Sequence, residues 1–579
     1  MKTVFVVGIL FLCVVSARDY NKYVRSDWWN ADLYKVPYQS PEQMMAACDA
    51  AKDCIGFNTA GWLKKKGGYI AYEQLVDIYL IKDIFVPSGN EPDFILWPRP
   101  NNYESGDEIR TVNLKDLKLD INSSNVDAEN AFKRMVDLLY IHKNSLVNDD
   151  DYDTLEVSIS NYTCPLSQGM DESYSLLVPE TGNTIQITAN CIYGYYHALM
   201  TLSQLIRYIP STHSYTIHRV PWIIDDKPFY SYRGLMIDTS RHFLPAKAIR
   251  SVIDSMAMTK LNTLHWHISD EDSFPMEILG IDMFPSSFSP YERYTIEDTV
   301  ELVEYARQRG IRVIPEIDVP GHAAIWCKSD PSICPSETCL SPLNPANEHT
   351  FEVIETMVKS LVKVFPDAYF HVGGDEVNTT CWTSTPSVSD WMAAHNYTVT
   401  NTYEYFIKRV HEIVIKYSKT AIYWEEVFNN FNAPKGSIIE TWLAGSGAMK
   451  RVVDAGYQGI YTHARQWYLP KLWAQWDTFY NVNPIADIED PEKQKLVLGG
   501  ELCMWGEWVD ISDLEQTIYP RGFAGAEPLW TAPEHINITT AGERLAYQRC
   551  VLNWRGIAAS PTFGDGRSNP VGPYPCMKQ

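Results

Sequence analysis

The runs NTLHWHI (262–268), Thr295-Ile-Glu-Asp298 and IRVIPEI (311–317), with Gly310 just before the last, read as a strand, a capped helix and a second strand. Thr295 and Asp298 have capping-box spacing, which satisfies the free N–H groups of a first helical turn, and Gly310 supplies a left-handed stop. The same order recurs on both sides. YRGLMID (232–238) precedes this unit, and AYFHV (368–372), AIYW (421–424), SIIETW (437–442), GIYTH (459–463) and KLVLGGELCMW (495–505) follow it. Eight short apolar runs separated by amphipathic segments over about 300 residues predict an α/β fold, a (β/α)8 TIM barrel spanning 229–579.

Upstream, residues 91–228 alternate strand-like runs (LEVSIS, YSLLV, TIQITA) with helix-like ones (AENAFKRMVDLLYIHK, YGYYHALMTLSQLIRYI), a pattern that predicts a small α+β domain. Residues 18–90 form a Cys-containing N-terminal extension. Its stretch ACDAAKDCIGFNTAGWLK resembles a PAN/apple-like segment; the alternative is an extension with no function of its own. Residues 1–17, MKTVFVVGILFLCVVSA, read as a signal peptide, with a Lys before an apolar run and the small residues Val15 and Ala17 before the cut. No later run reaches the roughly 18 apolar residues of a membrane span, so no transmembrane segment is expected.

Asn122, Asn161, Asn378, Asn396 and Asn537 each open an N-x-S/T sequon, consistent with passage through the secretory pathway to a lysosomal or secreted destination. Of 12 Cys, Cys13 leaves with the signal peptide, and an odd remainder implies a free or intermolecular thiol. Local spacing suggests Cys48–Cys54, Cys164–Cys191, Cys327–Cys334 and Cys550–Cys576, which leaves Cys339–Cys381, with Cys503 unpaired in its apolar run. Other connectivities stay open. The formal net charge of −23 repels phosphate backbones, so nucleic acid is excluded as an expected partner.

Function in such a barrel concentrates at the C-terminal strand ends. Arg241 follows the first strand, and His267 and Asp270 end the second. Asp318 and His322 follow the third, and Asp375 and Glu376 follow the fourth. Trp424, Trp442 and Tyr468 end or follow the next three, and Trp505 and Glu507 close the eighth. The sharpest local signal is HVGGDE (371–376), in which two glycines allow a tight turn before two adjacent carboxylates. On extended backbone such neighbours point opposite ways, so the pair does not suit an acid and a nucleophile facing each other about 5–5.5 Å apart. One carboxyl that donates a proton and one that holds an attacking polar group suits it better.

RGLMIDTSRHF (233–243), HWHISD (265–270), EIDVPGH (316–322), HVGGDEV (371–377) and CMWGE (503–507) resemble, in order, the motifs of family 20 glycoside hydrolases, the β-N-acetylhexosaminidases, over roughly residues 95–579. The resemblance implies exo-acting removal of terminal N-acetylhexosamines from a glycan substrate. The substrate's own acetamide is the nucleophile, an oxazolinium forms, and configuration is retained. It implies Glu376 as proton donor and later base, and Asp375 as the group orienting the acetamide. Tyr468 would donate to the acetamide oxygen, and Trp424, Trp442 and Trp505 would box its methyl. Arg241 and Glu507 would read the sugar hydroxyls. Asp270, His322, His267 and Asp318 would set the charge state of Glu376, with Asp270 and His322 also placed to touch the sugar. No metal and no cofactor are implied, and a homodimer is.

Two positions depart from the family pattern. Pro470 stands where an Asp or Asn usually contacts the sugar, which leaves the preference between N-acetylglucosamine and N-acetylgalactosamine open. Pro528 stands where an Arg usually follows Glu527, and a local change is expected there. Two rival readings remain: a catalytically inactive glycan-binding protein, and a metal-dependent barrel hydrolase built on His265 and His267 with Asp270 and Asp318.

Overall fold

The computed structural model describes residues 94–562, apart from 141, 143–144, 147–150 and 444, and before them Ser40, the helix Pro41–Ala50 and short strands between Tyr20 and Ile81. The leader at 1–17 and Cys576 lie outside the described residues. Two compact units form: one from residues up to Ile95 and from Asn537 on, the other from Leu96–Ile536. In the first, five strands make one sheet and two more pair separately, with Cys48–Cys54 joining the helix Pro41–Ala50 to the strand Cys54–Asn58.

The second unit contains a closed parallel barrel. Its strands are Tyr232–Asp238 (β1), Thr263–Ser269 (β2), Arg312–Ile317 (β3), Tyr369–His371 (β4), Thr420–Trp424 (β5), Ile438–Thr441 (β6), Gln458–Tyr461 (β7) and Val497–Met504 (β8), and β8 pairs back onto β1. Every residue of β1, β2, β3 and β8 is buried, which is why these segments read as unbroken apolar runs and not as alternating ones. The helix Ile296–Arg307 between β2 and β3 carries the capping box of Thr295 and Asp298, and Gly310 after it has φ 74°.

The barrel interior is layered. Tyr232, Ile314, Ile422, Ile438, Ile460 and Leu498 pack together toward the N-terminal ends. One pleat further along lie His265, Glu316, His371, Glu440 and Glu501, all at 0% exposure. Above them Met236, Trp424 and Cys503 cluster, with Trp442, Tyr468 and Trp505 packed on top. A charged layer between two apolar ones departs from the branched aliphatic filling usual in this fold.

The same unit includes a seven-stranded sheet built around Ser214–Asp226, with the helices Val126–Leu139 and Ile192–Leu205. Buried ion pairs join it to the barrel: Arg233 to Glu172 at 2.5 Å, and Lys260 to Asp226 at 3.3 Å. Burial works against the Glu172 charge, but the Arg233 cation and a hydrogen bond from His197 hold its pKa at about 2. Pairs of this kind fix orientation more than they add stability.

Cys164 pairs with Cys191, Cys327 with Cys334 and Cys339 with Cys381, while Cys503 is a buried free thiol. Cys550 is also disulfide-bonded. All five sequon asparagines are exposed; Asn122 is hydrogen-bonded to Ile159, and Asn537 caps the helix Ile538–Trp554. Pro528 lies inside the helix Arg521–Trp530, next to Glu527, which accepts from Tyr480 and from the Arg99 backbone. Among the described residues no helix is long and apolar enough to cross a membrane.

Candidate active site

β4 is only three residues long, and the HVGGDE turn begins at its end. Gly373 and Gly374 have φ of 71° and 91°, a region that costs glycine nothing. A Cβ at Gly373 would sit 2.0 Å from Asp318 Oδ1, so glycine is what lets the Asp318 carboxyl slide under the turn. There Asp318 Oδ1 accepts the Gly374 N–H at 2.8 Å, and Tyr403 donates its hydroxyl to the Gly374 carbonyl. Glu376 has φ 47°, so the two carboxylates do not sit on extended backbone as the alternation argument expects. The left-handed turn brings both into one pocket.

That pocket has a volume of about 260 Å³ and is lined by Asp375, Glu376, His322, Arg241, Tyr468 and Trp442, among others. This is just below the usual range of ligand sites, roughly 300–1,000 Å³, and it gives room for about one sugar-sized ring. Asp270, Asp318, Trp505 and Glu507 also line it, as do Pro470 and the 83% exposed Trp508 at the rim. Trp424 and His267 do not; they lie beneath, fully buried.

The carboxylates differ in environment. Asp375 is buried and Glu376 is exposed. Burial together with the Asp375 charge pushes the Asp318 pKa far above the usual range, and the two carboxyls face each other through a shared hydrogen bond. Burial raises the Asp375 pKa as well, and the His322 charge and the Asp318 hydrogen bond work against that rise. Among the described residues, Asp375 Oδ1 and Asp318 Oδ2 are both buried with no other hydrogen-bond partner.

His322 stands between them. Its Nε2 is 3.8 Å from Asp375 Oδ2 and 3.5 Å from Glu376 Oε2, and its Nδ1 is 3.2 Å from Asp270 Oδ1. Burial opposes its charge, but hydrogen bonds to Asp270 and Glu376 outweigh burial and raise its pKa well above the ordinary imidazole value. The same hydrogen bond lowers the pKa of Glu376. Arg241 is gripped by Asp270 at 2.7 Å and Asp238 at 3.1 Å, and its guanidinium lies 5.0 Å from the Trp505 ring.

A line of hydrogen bonds leads from this rim into the charged layer. Asp270 Oδ2 meets His267 Nε2 at 2.9 Å, and His267 Nδ1 meets Glu316 Oε2 at 2.5 Å. Glu316 also faces His265 Nε2 at 3.1 Å and His371 Nδ1 at 2.9 Å, and accepts the Trp424 indole N–H at 3.0 Å. His265 continues to Glu501 at 2.7 Å, and Glu501 accepts from Tyr232 at 2.6 Å. Burial opposes the His267 cation, yet the Glu316 charge and its carboxylate hydrogen bonds raise its pKa to about 9.

The aromatic residues form a cup over Trp424 and Cys503. Trp442 and Tyr468 are parallel within 10° at 6.1 Å, and Trp505 lies 6.1 Å from Tyr468 and 6.0 Å from Trp424. Ligand atoms of Asp318, His322 and Asp375, and those of His265, Glu316 and His371, are close enough to one another to hold an ion. In both sets, however, each imidazole already faces a carboxylate. Sequence reasoning missed Glu316, Glu440, Glu501, His371, Asp238 and Glu426. Inward alternation along the strands from His265 and His267 was a signal that could have found the first four, since Ile314, Glu316 and Asp318 share one face of β3.

The family model described as glycosyl hydrolase family 20, catalytic domain, matches residues 230–533, and one described as beta-acetyl hexosaminidase like matches 96–205. The chain is 45% identical over 435 residues to beta-hexosaminidase 3 of Arabidopsis thaliana, covering 73% of this chain and 81% of that one. It is 37% identical over 410 residues to the beta-hexosaminidase beta subunit of Homo sapiens, covering 68% and 72%. Among solved structures, Flavobacterium johnsoniae chitobiase superposes with a TM-score of 0.72 at 26% identity, over 80% of this chain and 73% of that one. A Vibrio harveyi exo beta-N-acetylglucosaminidase shares the fold at a TM-score of 0.71 and 21% identity, over 95% of each chain.

Proposed function

The chain belongs to glycosyl hydrolase family 20, and on that premise we propose that it is an exo-acting β-N-acetylhexosaminidase that uses the substrate's acetamide as nucleophile. The observation that carries this reading is the division of labour between the two adjacent carboxylates. Asp375 is buried against Asp318, and Glu376 is exposed beside His322, with both lining one pocket. An acetamide N–H donated to the Asp375 carboxylate turns the acetamide oxygen toward the anomeric carbon. The Asp375 charge then stabilises the positive charge that spreads onto nitrogen as the ring closes. Glu376 gives its proton to the leaving oxygen and takes one back from the water that reopens the ring.

Tyr468 donates to the acetamide oxygen, and Trp424, Trp442 and Trp505 enclose its methyl, so a sugar without the N-acetyl group loses both nucleophile and apolar contact. Arg241, held in a fixed fork by Asp238 and Asp270, meets vicinal hydroxyls, with Glu507 accepting from another. Asp270, His267 and Asp318 support these groups from behind. The substrate is a glycan with a terminal β-linked N-acetylhexosamine. A homodimer, and a secretory route to lysosome or medium, complete the proposal; the leader and the five exposed sequons support the route.

The test is hydrolysis of fluorogenic β-N-acetylglucosaminide, β-N-acetylgalactosaminide and β-glucoside from pH 4 to 7, with and without EDTA. Turnover of the N-acetylated pair alone, indifferent to EDTA, is expected. Equal turnover of the glucoside, or loss of activity with EDTA, refutes the mechanism.

A further inference from the structure

The parallel walls of the cup, Trp442 and Tyr468, do not touch face to face at 6.1 Å, so something outside the stack holds them apart. The helix Glu425–Phe431 starts directly after β5, and its first two residues both reach Trp442. Glu425 Oε2 accepts the backbone N–H groups of Trp442 at 2.9 Å and Leu443 at 3.2 Å, which fixes where the chain leaves β6. Glu426 Oε2 accepts the Trp442 indole N–H at 2.8 Å, which fixes how the ring turns. Trp424, one residue earlier, is tied in the same way to Glu316 at 3.0 Å. Three consecutive residues thus anchor the floor, the backbone and one wall of a single cup.

We propose that Glu426 is a positioning residue for acetamide recognition: by holding the indole of Trp442 it sets the width of the acyl slot and hence which N-acyl sugars are accepted. The inference rests on the N-acetylhexosaminidase reading above. Without its acceptor, the indole is restrained only by packing and can swing about its side-chain torsions, and the slot widens. The charge state of Glu426 suits this task. Burial and the nearby Asp375 charge push its pKa up to about 8, so at acid and neutral pH it is a neutral acceptor and adds no second anion behind Asp375. Glutamine keeps that neutrality and the accepting oxygen; leucine keeps the approximate volume and removes the acceptor.

The readout is the ratio of kcat/KM for N-acetyl and N-butyryl β-glucosaminide fluorogenic substrates, taken at pH 5 for the full chain and its Glu426→Gln and Glu426→Leu variants. A methylene in an apolar pocket is worth roughly 10–200-fold. Glu426→Leu is therefore expected to erode the preference for N-acetyl by about tenfold or more, while Glu426→Gln keeps it unchanged. A general loss of stability would lower both rates and leave the ratio alone. Glu426→Met also removes the acceptor while leaving the Trp442 wall whole, so it asks the same question if Glu426→Leu does not fold, and it too is expected to relax the ratio. An unchanged ratio in whichever of these two variants folds overturns the assignment. Absence of N-acetyl-dependent turnover in the unaltered protein would instead refute the enzymatic reading itself.

Discussion

Replacing Glu316 by glutamine removes the one carboxylate that faces His265, His267, His371 and the Trp424 indole at once, at 2.5–3.1 Å and with no exposure. His267, raised from 6.5 to about 9, sets the scale: that shift is worth about 3 kcal/mol. Breaking a buried ion pair costs about 3–5 kcal/mol, in agreement. At roughly 2–4 °C per kcal/mol for large domains, the melting temperature of Glu316→Gln should fall by about 6–20 °C. The pH dependence has a definite sign. A histidine raised in the folded state contributes fully below 6.5, and the contribution is lost as pH climbs through about 9. Glu316 itself is depressed below 4.5, against the cost of burial, by its histidines; its contribution is present above 4.5 and is lost only as pH falls through its low folded value. The unaltered protein should therefore hold a plateau between 4.5 and 6.5 and decline toward 9. Scanning fluorimetry across pH 4–9.5 reads both effects. A Glu316→Gln variant melting within about 2 °C of the parent at pH 5.5, or one that keeps the full decline above 6.5, would refute the reasoning.

Asp375→Asn should lower turnover of N-acetyl substrates by about 10²–10³, the usual cost of one transition-state electrostatic contact, as read from kcat at saturating substrate. His322→Gln removes the hydrogen bond that lowers the pKa of Glu376. Because a lowered acid is protonated only as pH falls, the alkaline limb of kcat/KM should move to higher pH in that variant. Replacing Cys339 and Cys381 by serine opens a loop with a separation of 42 residues; chain entropy assigns such a closure about 4 kcal/mol, to be measured as a shortened half-life at elevated temperature.

The barrel was legible because its strands are largely buried on both sides and bounded by turn residues, so the apolar runs from Tyr232 to Trp505 stand out. Asp375 and Glu376 were legible because a Gly-Gly turn after a strand has few other uses. Their relative direction was not, since it depends on the left-handed φ of Glu376, which no propensity favours in a glutamate. The charged layer was hidden for a related reason. Glu316, Glu440 and Glu501 are single acids inside apolar runs and look like exposed positions, until closure of the ring turns them toward His265 and His371. Glu426 was obscured by its neighbour Glu425; only the turn after β5 separates the one that holds backbone from the one that holds the indole.

The cup ends on Trp424 and Cys503, with a fully buried layer below, so it is a blind alley and not a cleft. A polymer can offer such a site only its terminus. On a homopolymer of the cleaved sugar, the rate is then governed by the number of chain ends per volume and not by the mass of sugar present, and it stays constant as each chain shortens, because every cut exposes a new end identical to the last. An upstream activity that cuts chains internally would multiply the turnover of this protein without touching it.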